Sequence, residues 1–584
     1  MLWRCFSGHR LGDPVLESLP FPRVNKFREY VDLYLPYMLN RAPDRTVSLR
    51  RPVFPDDAVE SLVPGVSAFD GFKRRIQDEA ARLLEWWLNY TITEYDLLGE
   101  SRLALIEALV KGRGLLFHEM VDLNGNGLVP VSMFESVDNL FIDGSCTVLR
   151  DAEYIFRKRK MSYPDVAEMI GVYESTLREA TGEEKEEVLE FYEVYSRIGI
   201  GGTFYEIDDE LRTALDSVGR YVYLILTDKC EYPLNVLPSA IGTDASAFAA
   251  NVEWPILSYG NTLDPWPFTV IDFRPNADNP WASSPLLPGL PYQLMLDELY
   301  EYIYESARQS LRRIVMVPDS TDERIVEALE SGRPFDVLRV PRLSLSGGDN
   351  IYHVMDIPPV NGDVFKYVAM LESQFERAVG LDPVLYGTAP QRQIRSAAEA
   401  SARYETASAR ARAMSDDVEY WLSRVAVKEG MLTRIHVPFT TTARLFGEEV
   451  IYIGDKEVPG GLKSKLWSEY VNQPDPMVAA GDYEFSVVHG SAKVVDKAER
   501  MRQASFLLQT ILPVIARMDG GGSAAISILK RVAAEFNVDL GFLQEAGNYD
   551  GVSRQGSGDG ASDSREAREA QRGGGRAGAV GSFD

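Results

Sequence analysis

Apolar side chains recur every three or four positions along residues 290–313. This recurrence is typical of the buried face of an amphipathic helix. The positions on the stripe are Leu296, Leu299, Ile303 and Ala307. At 1.5 Å per residue the helix would extend roughly 36 Å, and we expect its apolar stripe to be too long to bury within one subunit.

After this helix the apolar pattern changes from helical to strand-like spacing, and it later returns to helical spacing. A β-prone run begins at Ile314, and two further such runs predict a small β-rich segment over residues 314–360. A second helix is predicted at 361–382 and is followed by a turn-rich loop at 383–395. A very long third helix follows over residues 396–433. The order is therefore helix, β insert, helix, loop and long helix.

The N-terminal half alternates helical and strand patterns. We predict helices at 24–40, 72–90 and 94–111, and a proline-bearing connection at 43–64. A hairpin is predicted around the asparagine- and glycine-rich turn after Asp122, and Ser162 is predicted to cap a helix with Pro164 in its first turn. Strands are predicted at 115–121, 128–134, 153–159, 188–195 and 220–227.

Beyond the long helix, the sequence predicts strands at 434–437, 449–453 and 483–489, which we expect to rejoin the N-terminal sheet. Helical spacing returns over residues 493–546. From 547 the chain is rich in glycine, serine and paired charges, which predicts a disordered tail.

The order of these elements resembles the stem, clip, returning stem, tunnel loop and channel helix of bacteriophage portal proteins. The residues that carry the resemblance are the SSPLLP run from Ser283, the VGLDPVLYG run from Val379 and the SAAEA run from Ser396. It covers roughly residues 70–535 and is a likeness of pattern more than of motif.

The resemblance implies an α+β subunit with a mixed α/β wing and a defined order of parts. These are an N-terminal arm (1–69), the wing (70–288 and 434–492), the first stem helix (289–313), the clip (314–360), the second stem helix (361–382), the tunnel loop (383–395), the channel helix (396–433), a helical crown (493–546) and the disordered tail (547–584).

The resemblance also implies a function. Portal proteins form a ring, usually of twelve copies, at one capsid vertex, where double-stranded DNA passes during packaging and ejection. The implied partners are the terminase large subunit, a head-to-tail adaptor, and the major capsid and scaffolding proteins. We expect a virion protein assembled in the host cytoplasm that is not an enzyme, needs no cofactor and is not bound to a membrane.

The net charge of this chain is unlike that of proteins that bind DNA tightly. It holds 87 acidic and 61 basic residues, which gives a formal charge of −26. Sequence-specific DNA binding normally requires a basic surface, so we expect DNA to be passed along without sequence readout. Three widely spaced cysteines predict neither a disulfide framework nor a metal site.

Motifs for metal or nucleotide chemistry are incomplete. The segment from Asp122 begins like a calcium loop, but Met133 stands where a glutamate is required. Lys463 and Ser464 lack the glycine and the context of a phosphate-binding loop. The incomplete phosphate-binding loop leads us to expect no ATPase site. The five histidines are scattered, so we also expect no metal site.

The candidate site residues lie in the loop and in the clip. In the tunnel loop, the DNA-contact candidates are Gln391, Arg392, Gln393 and Arg395; the alternative is an ordinary polar loop. In the clip, the candidates for partner docking are Arg324, Arg333, Arg339 and Arg342; the alternative is a balanced solvated surface. For the whole chain, two other classes stay open, a capsid-associated structural protein without a channel and a cytoplasmic enzyme whose site is assembled from distant residues.

Overall fold

The computed structural model confirms a mixed α+β fold. All described residues belong to the unit Met1–Val494. The structure describes residues 2–6, 24–50, 67–122, 127–182, 185–197, 221–237, 251–252, 254, 264–310, 314–316, 323, 327, 353–355, 360–381, 397–446, 450–453, 456–459, 462–473, 483–488 and 491–492. The predicted crown and tail lie outside these residues.

The three helices predicted in the N-terminal part form and pack into the core, and a further short helix precedes them. Helix α1 is short (Leu2–Phe6), and α2 (Lys26–Met38) begins where the Asn25 side chain accepts a hydrogen bond from the backbone of Arg28. Helices α3 (Ser67–Glu94) and α4 (Leu97–Lys111) follow. Helix α4 ends at Gly112, whose φ of 105° favours glycine.

Most strands of the predicted wing are confirmed, and they form two separate antiparallel sheets. The elements are β2 (Arg113–Asp122), β3 (Leu128–Phe134), β4 (Leu140–Ile142), β5 (Tyr154–Ser162), α5 (Tyr163–Ile170), α6 (Glu174–Thr181), β6 (Val188–Ser196), β7 (Val222–Leu226) and β8 (Phe268–Asp272). The three-stranded sheet has the order β3-β2-β8, and the four-stranded sheet has the order β4-β5-β6-β7. Ser162 caps α5 as predicted, with Pro164 in the first turn.

The helices of the predicted stem and channel are confirmed as elements, and one strand pair is described between the two stem helices. These elements are α7 (Leu290–Ser310), β9 (Ile314–Met316), β10 (His353–Met355), α8 (Gly362–Val379) and α9 (Ala397–His436). Strands β9 and β10 pair antiparallel, with Val354 opposite Val315. The α8 helix ends at Gly380, as its sequence predicts.

The strand predicted at 434–437 is wrong, because α9 continues to His436. Arg434 is fully buried, and its guanidinium donates a hydrogen bond to the carbonyl of Val471 at 3.0 Å. It also stacks over the ring of Tyr483. These tertiary contacts hold the last turn in the helix and outweigh the local strand preference of an Ile-His-Val run.

The two later strands form, but neither rejoins the sheets of the wing. Strand β13 (Tyr483–Val487) pairs with β1 (Arg45–Leu49), which lies inside the predicted proline-bearing connection. Strand β11 (Val450–Ile453) pairs with β12 (Lys456–Pro459). The remaining helices are α10 (Phe439–Phe446), α11 (Leu462–Leu466) and the π-helical turn Trp467–Val471.

A buried polar network joins α9 to the three-stranded sheet. The imidazole of His118 on β2 lies 2.8 Å from the hydroxyl of Ser132 on β3 and 2.6 Å from that of Thr269 on β8. Ser132 in turn donates to the carboxylate of Glu429 on α9. The other oxygen of Glu429 accepts from Arg45 on β1 at 2.6 Å. One carboxylate therefore connects the helix to both sheets that flank it.

Burial also fixes the protonation of this network. Desolvation and the nearby cations lower the pKa of His118 well below its usual value, so its ring is neutral. Because the Ser132 hydroxyl donates to Glu429, its oxygen accepts from Nδ1–H of His118. The other ring nitrogen, Nε2, then accepts from Thr269. The histidine and both hydroxyls therefore have defined donor and acceptor roles.

We predict that Glu429→Ala lowers the free energy of unfolding by about 3 kcal/mol or more, because it leaves the buried Arg45 charge without its partner. Chemical denaturation followed by circular dichroism measures this loss. The matched control is Glu79→Ala, which breaks the exposed 2.8 Å pair with Arg82 and should cost less than about 1 kcal/mol. Equal losses for the two variants would contradict the structural role of Glu429.

Candidate functional site

The candidate site is the pair of helices α7 and α8, which we call the stem. The N-terminal end of α7 meets the C-terminal end of α8, since Gly289 lies against Phe375 and Val379. The helices are therefore antiparallel. Leu296 packs against Val368 and Leu371, and Tyr300 donates to Glu372 at 3.2 Å.

Burial decreases along α7 with distance from the core. On the predicted stripe Leu296 is fully buried, and Leu299 and Ile303 are partly buried. Ala307, the last position on the stripe, is exposed, so this chain alone does not bury the whole stripe. Beyond Ile303, α7 extends past the side chains that cover its first turns, which is why its burial decreases.

Large apolar side chains are exposed on the stem. Scattered exposed apolar residues are ordinary, whereas several large ones on two adjacent helices are typical of an interaction surface. We call this set the stem apolar surface: Met295, Tyr302, Tyr304, Phe365, Tyr367 and Met370. The sequence analysis missed it because it followed one stripe. The signal was available in the aromatic residues at Tyr302 and Tyr304, which lie off that stripe.

A second face of α7 is acidic. Glu298, Glu301 and Glu305 recur at the i, i+3 and i+7 spacing that places them on one side of the helix. This face lies away from the contacts between α7 and α8, which use Leu296 and Tyr300. The stem therefore presents both apolar and acidic surface.

The junction between α8 and α9 is held by a close contact that we call the Gly380 junction. Arg410 on α9 donates from Nη1 to the carbonyl of Val379 at 2.6 Å, which places a positive charge at the C-terminal end of α8. Tyr34 on α2 donates to the carbonyl of Gly380 at 2.9 Å. Gly380 has a φ of 82°, in the left-handed region. The junction fixes where the chain leaves the stem toward residues 383–395.

The sequence-predicted site residues lie outside the described residues. This applies to Gln391, Arg392, Gln393 and Arg395 of the tunnel loop, and to Arg324, Arg333, Arg339 and Arg342 of the clip. The structure thus describes the elements that flank both segments and leaves the two sets of side chains as predictions.

The one serine–histidine contact of the buried network does not form an accessible site. Ser132 is 2% exposed, and its hydroxyl is already hydrogen-bonded to Glu429 and to His118, so it is not presented to a substrate. In the described residues, no three or more His, Cys, Asp or Glu side chains are grouped to hold a metal ion. Nor does any described helix combine the length and apolar composition needed to span a membrane.

The sequence matches no protein-family model, and it matches no curated protein.

We predict that Gly380→Ala destabilises the fold by about 2 kcal/mol or more. An alanine at positive φ costs about 1–2 kcal/mol, and the added Cβ would overlap Nη1 of Arg410. The control Gly171→Ala has a φ of 71° with nothing within 4 Å, so it should show the conformational cost alone.

The clash is isolated by adding Arg410→Ala to Gly380→Ala and measuring unfolding of both single variants and the double variant. Because Arg410→Ala removes the overlap, the double variant should lose less free energy of unfolding than the sum of the losses of the two single variants. Strict additivity would show that Gly380 and Arg410 are not coupled.

Proposed function

We propose that this chain is a subunit of a portal-like ring through which double-stranded DNA is packaged into a capsid and ejected from it. In this proposal the stem apolar surface contacts neighbouring copies, and the clip docks the terminase large subunit and later a head-to-tail adaptor. The ring sits at one capsid vertex and most often holds twelve copies. The chain itself performs no ATP hydrolysis.

The exposed apolar side chains of the stem are the observation that carries this proposal. Burying one aromatic or methionine side chain completely is worth about 1.5–3 kcal/mol, so leaving several in water is costly for a monomer. Neighbouring copies arranged head to tail bury such surface on both flanks of each subunit, and this arrangement closes into a ring.

The order of elements supports a channel. The base of the stem packs into the core, and in the sequence the β9–β10 pair lies between its two helices. The Gly380 junction ends α8, and the loop that follows it in the sequence precedes α9. In a ring this loop repeats around the axis. The arginines that it carries, Arg392 and Arg395, are then positioned to contact phosphates of a passing duplex.

The charge of the chain supports passage in preference to tight binding. A duplex held by many cations dissociates only at high salt, because each phosphate contact releases condensed counterions. Here the net charge is −26, and α7 carries an acidic face. A mostly negative wall with a few arginines lets DNA move along the channel.

We predict that the double substitution Tyr302→Glu and Phe365→Glu prevents ring assembly while leaving the subunit folded. Both side chains are 54% exposed, so charges there do not disturb the core, but they must be desolvated at an interface. Size-exclusion chromatography with light scattering measures the mass of the assembly.

The matched control for this experiment is Tyr173→Glu, whose side chain is 83% exposed and lies outside the stem. It should assemble like the parent. A parent chain that stays monomeric, or a stem variant that forms rings normally, would refute the assigned interface.

We predict that neutralising Arg392 and Arg395 leaves rings intact and reduces the DNA packaged per particle. The salt dependence of duplex binding should also fall by roughly 0.9 in log–log slope for each phosphate that is no longer neutralised. Packaged DNA is measured after nuclease treatment, with the exposed Arg82→Ala as control. Normal packaging by intact rings would rule out the contact role, and failed assembly would place the arginines at a subunit interface.

A further inference from the structure

A cavity of about 400 Å³ lies between the three-stranded and four-stranded sheets, away from the stem. Its described lining comes from β2, β5, β6 and β7, from the end of α5, and from Asn235, Asn251, Trp254 and Pro267. This volume lies within the range of small-molecule sites. The function proposed above makes no use of it.

One wall of the cavity is aromatic and continuous. Tyr195 is in ring contact with Tyr223 at 5.1 Å, with Trp254 at 5.7 Å and with Phe117 at 6.0 Å between centroids. All four rings line the cavity. Aromatic faces carry negative partial charge and attract alkylammonium and guanidinium groups.

The polar part of the lining contains more acid than base. Glu119 and Glu193 line the cavity together with Arg159, whose guanidinium lies 3.1 Å from Glu193. Behind them, Arg157 pairs with Glu119, with Glu193 at 3.3 Å and with Glu135 at 2.8 Å. Three carboxylates share two guanidiniums, which leaves this ion cluster with a net charge of −1.

Among the described residues that line the cavity, no other group balances this acidic excess. Tyr223 donates a hydrogen bond to Glu193 at 3.2 Å. Burial, together with that carboxylate, raises the pKa of Tyr223 well above its usual value, so the hydroxyl stays neutral. His118, also in the lining, is neutral because burial lowers its pKa. A ligand with positive charge would balance the cluster, whereas an anion would add to its charge.

We propose that this cavity binds a compact organic cation, an alkylammonium or guanidinium group, with its charge beside Glu119 and Glu193 and its apolar part against the aromatic wall. The ligand is either a free small amine or a lysine or arginine side chain of another protein. This binding needs no ring and is independent of the function proposed above.

The test is isothermal titration calorimetry on the full chain at low salt with 1,4-diaminobutane and butylguanidine. Butyrate and 1-butanol, which match the alkyl part without a positive charge, are the comparison ligands. The proposal expects saturable binding of at least one cation with a dissociation constant below about 1 mM and much weaker binding of both comparison ligands. A third arm uses end-blocked pentapeptides with a central lysine or arginine; tighter binding of a peptide assigns the cation to a protein partner, and tighter binding of the small amine assigns a free ligand.

Two variants locate the binding. Glu119→Gln removes one negative charge with little change of shape and should weaken cation binding about tenfold. Met169→Trp places a larger side chain at the exposed rim of the cavity and should weaken binding without changing the charge. The matched control is Glu190→Gln on the opposite face of β6, where Glu190 pairs with Lys158 and Lys160, and it should bind like the parent.

Circular dichroism melting establishes that each variant is folded before binding is compared. The proposal is overturned if no cation binds more tightly than about 1 mM, or if butyrate binds as well as the cations. Equal binding by the parent, the folded Glu119→Gln variant and the folded Met169→Trp variant would overturn it as well.

Discussion

The position of the long helix α9 depends on the hydrogen bonds that the buried carboxylate of Glu429 accepts. This carboxylate accepts from Arg45 on β1 and from Ser132 on β3, and through Ser132 it reaches His118 on β2. A buried charge is tolerated only when its partners stay in place, so α9 has one energetically acceptable position. Apolar packing alone allows more latitude, because similar side chains can exchange places at little cost.

The same helix carries this constraint to the stem. Arg410, just over five turns before Glu429, donates to the last carbonyl of α8, and Tyr34 of α2 donates to the carbonyl after it. Phe375 and Val379 of α8 belong to the same apolar core as Trp421 and Val425 of α9. The base of the stem is therefore fixed by the core, while its outer part extends beyond the side chains that cover the base.

The fixed base of the stem and its exposed outer part are both features that the proposed ring would use. In the proposed assembly, a stem with a rigid base would present its apolar surface to a neighbouring copy at a defined angle, and a head-to-tail contact closes a ring when its repeated rotation completes a full turn. Contact between neighbouring copies in the proposed ring would also offset the cost of the exposed aromatic residues on α7 and α8.

Local features of this fold were predictable from the sequence. The end of α8 at Gly380, the hairpin of β2 and β3, and the cap at Ser162 each depend on a few neighbouring residues, and all are confirmed. The fold class follows from such elements. They also outline the stem, although its apolar surface was missed because it lies off the main stripe.

Features that depend on distant residues were not predictable. Strand β1 pairs with β13 across more than 400 residues, and periodicity holds no information about that pairing. The strand expected at 434–437 fails for the same reason, since the carbonyl that binds Arg434 comes from the later residue Val471. The polar network around Glu429 joins five elements, and its members look ordinary in the sequence. The arginines of the tunnel loop and clip stay predictions.

Single-particle imaging of the purified chain, viewed along the axis of any assembly, tests the central claim most directly. The account predicts closed rings of one symmetry with a central opening wide enough for a DNA duplex, and with the stem helices of adjacent copies in contact. Particles that are only monomers or open filaments would contradict it, as would rings whose stem helices do not touch.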